Sequence, residues 1–200
     1  YCKGNSNLLN AKSVAIVGSR NASEEGLKLA KGIAKALATR GINIVSGYAK
    51  GIDTNAHLGA LEANGTTTMV LSSGIMGFYR KTEFSDISDW DERTLLVSQF
   101  EPNANWSGQN AMIRNRTVCS LANAVIVIES GLERDQNGKM SGSFNAAKTA
   151  LEMNIPVFVI SPTFFKNPPP GNSEIIKRGG IEIDPKGKIL DMILKHIKDT

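Results

Sequence analysis

Short apolar runs recur along the chain, and segments with a helical pattern separate them. Six runs have the length of strands, at residues 14–17, 42–45, 67–71, 95–97, 124–128 and 157–160. Most of them are continuous rather than alternating, which is typical of strands buried on both faces of a parallel sheet. The pattern therefore predicts a mostly parallel sheet.

The clearest helical pattern follows the first run, within residues 23–41. Ser23 can cap this helix, Gly41 can end it, and one face carries Leu27, Ala30, Ile33, Ala34 and Leu37. Similar patterns occupy residues 53–64, 112–122, 143–153 and 186–198. Strands that alternate with helices predict an α/β fold, a doubly wound, mostly parallel sheet with helices on both faces and right-handed crossovers.

Two segments interrupt this alternation. Residues 130–142 form a polar segment with three glycines, which we expect to be a mobile loop. Residues 161–180 contain three consecutive prolines and no periodicity, so we expect an extended excursion before the last strand. The sequence has no internal repeat, and its 200 residues predict a single domain over 1–200.

The composition of the chain limits which ligands, partners and cellular compartments we expect for this protein. The two cysteines lie far apart and only two histidines accompany them, so we expect neither a metal site nor a cofactor. No apolar run approaches the ~20 residues of a membrane span, and no leader is visible, so we expect a cytoplasmic protein without membrane contact. A net charge of +4 permits an anionic partner without requiring one.

Small and basic residues follow several of the predicted strands, where open α/β sheets bind their ligands. The sequence "GSR" follows the first strand, "SGYAKGID" the second and "SSGIMGFYRK" the third. We expect glycines such as Gly47 and Gly51 to let the backbone approach a phosphate, with positive charge from Arg20, Lys50, Arg80 and Lys81. Taken singly, each position also has a structural explanation: a turn glycine, a capping Asp53 or a core His57.

Known nucleotide motifs fit the sequence poorly. Gly47 and Gly51 have the spacing G-x-x-x-G, and neither a dinucleotide fingerprint nor a phosphate-binding P-loop is present. Glu24 and Glu25 already meet the positive end of the first helix, which makes it a poor anion site. No serine, histidine and aspartate are spaced as in a nucleophile elbow.

The order of motifs resembles the DNA-processing protein A (DprA/Smf) family. The resemblance is carried by "YCKGNSNLL", "VAIVGSR", "SGYAKGIDTNAHLGAL", "SSGIMGFYRK", "IRNRTVCSLANAVIVIES", "SGSFNAAKTALEMNIPVFVI" and "GNSEIIKRGG", in that order. It spans nearly the whole chain, although the helical N-terminal domain and the winged-helix C-terminal domain common in this family are not visible in residues 1–200.

This resemblance implies an extended Rossmann-like fold that binds single-stranded DNA and passes it to a RecA-type recombinase, in recombination or natural transformation. The DNA-binding residues that it implies are Gly18, Ser19, Arg20, Ser46, Gly47, Lys50, Gly51, Lys81, Arg114, Asn115, Arg116, Ser141, Gly142 and Ser143. Asp53 and His57 have a supporting role. The sequence departs from the family at Gln99, where a glutamate is usual, and at Ala111, where an aromatic residue is usual.

An apolar stripe in the terminal helix has two explanations. Its members are Ile189, Leu190, Ile193, Leu194 and Ile197, of which Ile189, Ile193, Leu194 and Ile197 are the candidate dimer residues. The domain can cover the stripe itself, or a second copy can cover it, and the family resemblance favours a homodimer.

Two other functions remain as alternatives. One is a nucleotide sensor in a defence or signalling system. The other is a phosphoribohydrolase of the "lonely guy" type, but Ala146 stands where that family has a catalytic glutamate, so we expect no enzyme activity.

Overall fold

A single sheet of eight strands organises the protein. The computed structural model describes residues 1–185, 187 and 189–198, with only the backbone of Ile189 and Lys198. The strands are β1 Cys2–Gly4, β2 Ser13–Val17, β3 Asn43–Ser46, β4 Thr67–Val70, β5 Thr94–Val97, β6 Ala124–Val127, β7 Val157–Ile160 and β8 Ile181–Ile183. Their order is β1-β5-β4-β3-β2-β6-β7-β8, and β1 pairs antiparallel with β5 whereas the other pairs are parallel.

Helices cover both faces of this sheet. They are α1 Glu24–Ala38, α2 Ile52–Glu62, α3 Trp90–Arg93, α4 Gly108–Ser120, α5 Gly142–Glu152, α6 Pro170–Lys177 and α7 Ile189–Lys198. Residues of α1, α2 and α7 pack in one core cluster, and residues of α4, α5 and α6 pack in a second cluster. The predicted doubly wound α/β fold is confirmed.

Strand β2 shows why its apolar run is continuous. Val14 and Ile16 belong to the core cluster on the side of α1, whereas Ala15 and Val17 belong to the cluster on the side of α5. Because successive side chains of a strand point to opposite faces, burial on both faces favours consecutive apolar residues, as at positions 14–17.

Two elements differ from the sequence prediction. The expected extended excursion over 161–180 is wrong in part, because α6 begins at Pro170 within it. The N–H group of the first helical residue has no partner within the helix, so a proline, which lacks this group, loses no hydrogen bond there. The run of prolines can therefore start a helix. Strand β1 has no apolar signal, because all three of its residues are exposed at the edge of the sheet.

The direction of chain progression reverses beside β2. The chain passes from β2 through β3 and β4 to β5 on one side, and β6 then returns to the other side of β2 before β7 and β8. Crossovers therefore leave β2 and β6 in opposite directions, which opens a crevice at the carboxyl ends of these two strands.

The polar segment 130–142 folds into a hydrogen-bonded turn beside this crevice. Arg134 and Met140 form an isolated antiparallel bridge. The Asp135 carboxylate accepts hydrogen bonds from the backbone N–H groups of Asn137 and Lys139, both at 2.9 Å. The segment thus has local structure of its own.

The apolar stripe of α7 faces the core of the same chain. Ile193 and Ile197 are buried, and Leu194 packs against the same cluster half-buried. The side chain of Ile189 lies outside the described part of the structure. Ile193 and Ile197 are therefore core residues rather than an exposed dimer surface, and a dimer would need another surface.

Within the described ranges, no helix is both long and apolar enough to cross a membrane.

Candidate functional site

A cavity of about 460 Å³ occupies the crevice between β2 and β6. Its wall includes the turn after β2, the turn after β3, the start of α4, the segment after β6 and the first turn of α5. Residues predicted from the sequence that line it are Gly18, Ser19, Arg20, Asp53, Arg114, Asn115, Ser141, Gly142 and Ser143. The structure thus brings together strand ends that are far apart in the chain.

Arg114 is a buried cation in the wall of this cavity. It projects from α4, is only 5% exposed, and its Nε has no hydrogen-bond partner among the residues that the structure describes. Burial lowers the pKa of Arg114, and the nearby Asp53 carboxylate opposes that change. Burial likewise raises the pKa of Asp53, and Arg114 opposes it. Each charge therefore partly compensates the other in a weakly solvated place.

The glycines of the "SGYAKGID" turn make room for protein atoms. A Cβ at Gly47 would overlap the guanidinium of Arg114. Gly51 has a φ of +81°, and a Cβ there would lie 2.5 Å from the backbone oxygen of Ser19. These glycines therefore have a structural role, which is to admit Arg114 and the turn after β2, and a phosphate contact at Gly47 or Gly51 stays a prediction.

The first turn of α5 brings hydroxyl groups to the cavity. Ser141 caps the helix, because its Oγ accepts a hydrogen bond from the Phe144 N–H at 3.3 Å. Asn115 holds this turn from α4, because its Nδ2 donates to the Gly142 oxygen at 3.0 Å. The Ser143 hydroxyl donates to Ser130 at 3.0 Å. The positive end of α5 therefore meets the cavity through Gly142 and Ser143.

The predicted cations divide into two groups. Arg20 and Lys50 are exposed, and Arg20 lines the cavity. Lys81, in contrast, donates from Nζ to the Tyr48 oxygen at 3.0 Å and to Thr54 Oγ1 at 2.9 Å. Burial lowers the pKa of Lys81. Lys81 thus anchors the turn after β3 and is not part of the cavity wall.

Arg116, Ser46 and Lys50 do not line the cavity. Arg116 is exposed but does not line the cavity, although it is a neighbour of Arg114 in sequence. Ser46 is buried, and its hydroxyl donates to the Ile16 oxygen at 2.6 Å between β3 and β2. Lys50 is exposed near the rim, and Ala49 beside it lines the cavity.

Asp53 and His57 have separate environments. Asp53 Oδ2 accepts a hydrogen bond from the Ala49 N–H at 3.2 Å and so fixes the turn before α2. His57 is fully buried, and its Nδ1 lies 2.7 Å from the Thr67 hydroxyl, which itself donates to Ile44. The imidazole therefore donates to Thr67, and burial lowers its pKa to about 3. His57 is a core residue that does not line the cavity.

The positive end of α1 is already occupied by an anion. Its occupant is Glu129, which follows β6 and accepts hydrogen bonds from the Ser23 N–H at 3.1 and 3.2 Å and from the Ser23 hydroxyl. A Cβ at Gly26 would overlap the Glu129 carboxylate. The helix is a poor site for an external anion, as predicted, but the reason is Glu129 as well as Glu24 and Glu25.

Sequence reasoning missed Trp106 and Lys139, which both line the cavity. Trp106 is 57% exposed in the segment between β5 and α4, and the Cζ of Arg20 lies 5.6 Å from the centre of its ring. A signal was available, because "EPNANWSGQN" places a lone aromatic residue in a polar stretch immediately before the helix cap Ser107.

For metals, no group of three or more His, Cys, Asp or Glu is placed to hold an ion in the described ranges 1–185, 187 and 189–198.

These features define a doubly wound α/β domain with a basic cavity at the point where the strand order reverses. The chain belongs to the family described as DNA recombination-mediator protein A, whose model matches residues 1–193. The resemblance read from the sequence motifs is therefore confirmed.

Curated relatives support the same family. The chain is 33% identical over 180 residues to DNA processing protein DprA of Streptococcus pneumoniae, covering 90% of this chain and 61% of the relative. It is 32% identical over 192 residues to Protein Smf of Escherichia coli, covering 96% of this chain and 50% of the relative. The chain thus spans about half to three fifths of the length of these two relatives.

A solved structure of a relative extends the likeness to three dimensions. DNA processing protein A from Helicobacter pylori, studied for its single-stranded DNA binding mode, is 28% identical with a TM-score of 0.81. The match covers 100% of this chain and 86% of that protein.

Proposed function

We propose that this protein binds single-stranded DNA through its backbone phosphates in the cavity between β2 and β6. The observation that carries the proposal is the buried Arg114 guanidinium, whose Nε has no partner in the described part of the protein. Removing a charge from water is costly unless an opposite charge compensates it. Asp53 supplies part of this compensation, and a phosphate in the cavity would supply more.

The residues around Arg114 suit a phosphate chain. Arg20 and Lys139 line the mouth, and Lys50 is exposed on the adjacent turn. The positive end of α5, at Gly142 and Ser143, adds backbone donors for an anion. A few cations along a groove favour a flexible strand over a rigid duplex. The single-stranded DNA binding of the Helicobacter pylori relative supports the same ligand for this chain.

Binding without catalysis is the activity that we propose. Ala146 lines the cavity where a phosphoribohydrolase would need its glutamate, and His57 is buried elsewhere. Family membership further supports a homodimer that passes DNA to a RecA-type recombinase. Sedimentation of the purified protein tests the dimer, and a monomer at micromolar concentration would contradict it.

A salt titration of oligonucleotide binding tests the proposal most directly. We expect single-stranded DNA to bind more tightly than duplex of equal length and than a mononucleotide. Arg20→Ala should weaken binding to all sequences and reduce the log–log salt slope by about 0.7. Arg40→Ala is the matched control, because this exposed arginine lies between α1 and β3, at the amino ends of the parallel strands and so at the end of the sheet opposite to the cavity.

The alternatives predict different results in the same experiment. Tighter binding of a mononucleotide than of the oligomer would favour a nucleotide sensor. Release of free base from a nucleoside monophosphate would show a hydrolase. Equal effects of Arg20→Ala and Arg40→Ala would indicate nonspecific basic attraction and would overturn the proposal.

A further inference from the structure

Trp106 holds a large aromatic surface in water at the mouth of the cavity. Its side chain is 57% exposed, and it lines the cavity together with Arg20. The protein has only two tryptophans, and Trp90 has a different environment. The Trp90 ring is partly buried, with the Arg80 guanidinium 4.5 Å from its centre and the Phe84 ring 5.6 Å away. The ring of Trp90 is therefore covered by its neighbours, whereas more than half of the Trp106 side chain stays accessible to a ligand.

The backbone around Trp106 is fixed by hydrogen bonds. On its N-terminal side, the Ala104 oxygen accepts from the Gly74 N–H at 2.7 Å. The Asn105 oxygen accepts from Asn110 Nδ2 at 3.3 Å. On its C-terminal side, the Ser107 hydroxyl caps α4 by accepting from the Asn110 N–H at 2.9 Å. The backbone on both sides of Trp106 is therefore held in place by hydrogen bonds to other parts of the protein.

The surroundings of Trp106 favour a planar, polar-edged ligand over an apolar protein surface. Arg20 lies beside the ring, and Arg114 and Lys139 line the same cavity. An apolar partner placed here would cover these charges without compensating them. An unpaired nucleobase offers a π-face to the indole and places its own phosphate near the cations.

We propose that Trp106 is a stacking platform for one unpaired nucleobase, with Arg20 holding the phosphate of the same strand beside it. This inference rests on the proposed binding of single-stranded DNA and adds a base contact to it. Stacking on an aromatic ring tolerates every base, since each has a π-face. Trp106 therefore contributes affinity for unpaired bases without reading their sequence.

The experiment compares an oligothymidine with an abasic oligomer of the same length, which keeps the phosphates and lacks the bases. Trp106→Ala should weaken oligothymidine binding by roughly 5- to 150-fold, which corresponds to about 1–3 kcal/mol for one stacked base. Binding of the abasic oligomer should stay unchanged. Trp106→Phe, which keeps an aromatic face, should retain most of the affinity. Equal losses for both oligomers, or no loss for either, would overturn the stacking role.

Fluorescence supplies a second readout that a purely structural role would not change. In Trp90→Phe protein, Trp106 is the one remaining tryptophan, since the sequence has two. We expect the oligothymidine to quench its emission and the abasic oligomer to leave it nearly unchanged. If both oligomers bind equally tightly and neither quenches, phosphate binding stands and the stacking proposal falls. If neither binds, the proposed function and the stacking role both fail.

Discussion

Two regions of this protein combine cations with aromatic rings after parallel strands, and they use them differently. One is the cavity between β2 and β6, with Arg20, Arg114 and Trp106. The other is a cluster beside β4, which we call the aromatic cluster, formed by His57 and the rings of Tyr48, Phe78, Phe84 and Trp90. In the cavity Arg20 and Trp106 remain exposed, whereas in the aromatic cluster the cations donate hydrogen bonds to atoms of the protein.

The cations of the aromatic cluster are engaged by the protein itself. Arg80 donates to the oxygens of Phe84 and Ile87, the latter at 2.7 Å, and lies over the Trp90 ring. Lys81 donates to Tyr48 and Thr54 and lies 4.4 Å from the centre of the Tyr48 ring. A basic residue after a strand is therefore only a candidate for ligand binding, and the partners of its donor atoms decide its role.

The largest expected effect concerns His57 in the aromatic cluster. Its pKa falls from 6.5 to about 3, so the native state excludes a proton that the unfolded state binds. The stability that this residue contributes is present above pH 6.5 and is lost as the pH falls toward 3, by about 5 kcal/mol in total at 1.36 kcal/mol per unit. Urea unfolding between pH 7 and 4.5 should show a steeper loss for the wild type than for His57→Gln, and equal slopes would contradict the assignment.

A second prediction concerns Gly47 and Arg114 at the cavity. A Cβ at Gly47 would overlap the guanidinium, so Gly47→Ala should lower the free energy of unfolding by about 1–3 kcal/mol. In an Arg114→Ala background the same change should cost much less, because the overlapping atoms are gone. A double-mutant cycle measured by urea unfolding checks this coupling, and additive costs would show that the two residues do not interact.

A matched pair of arginines sharpens the contrast between the two regions. Arg80→Met removes charged hydrogen bonds to backbone oxygens and should lower the free energy of unfolding by about 1–2 kcal/mol, with an unchanged salt slope of DNA binding. Arg20→Met should change stability by less than about 0.5 kcal/mol and reduce the salt slope by about 0.7. The reverse pattern would mean that the roles of the two regions are exchanged.

The smallest expected effect separates two lysines. Lys81→Met should cost about 1 kcal/mol of stability, because it removes hydrogen bonds to Tyr48 and Thr54. Lys50→Met, at an exposed position, should cost less than about 0.5 kcal/mol and reduce the salt slope of DNA binding. Thermal unfolding and oligonucleotide titration of both variants check the pair, and a loss of DNA affinity confined to Lys81→Met would contradict it.

Sequence patterns predicted the fold well, because strands buried on both faces carry continuous apolar runs, as at residues 14–17 of β2. They missed β1, which is exposed and has no such signal. For the site, the position of Arg20 after a strand predicted its place at the cavity. The family motif predicted that Arg114 belongs to the site, but it did not predict that Arg114 is buried. The partners of Lys81 lie 27 and 33 residues away in sequence, so no local pattern could assign its ammonium to the turn after β3.

Glu129 at the start of α1 has a consequence for which ligands this protein can accept. The positive end of the first helix is where dinucleotide-binding domains receive a pyrophosphate. Here that end carries an anion supplied by the chain itself, hydrogen-bonded to Ser23 and packed against Gly26. A carboxylate that belongs to the same chain competes for this position at a high effective concentration, because it needs no separate binding step. The fold thus contains an internal competitor for the dinucleotide position, and the phosphate contacts that we propose lie at α4 and α5 instead.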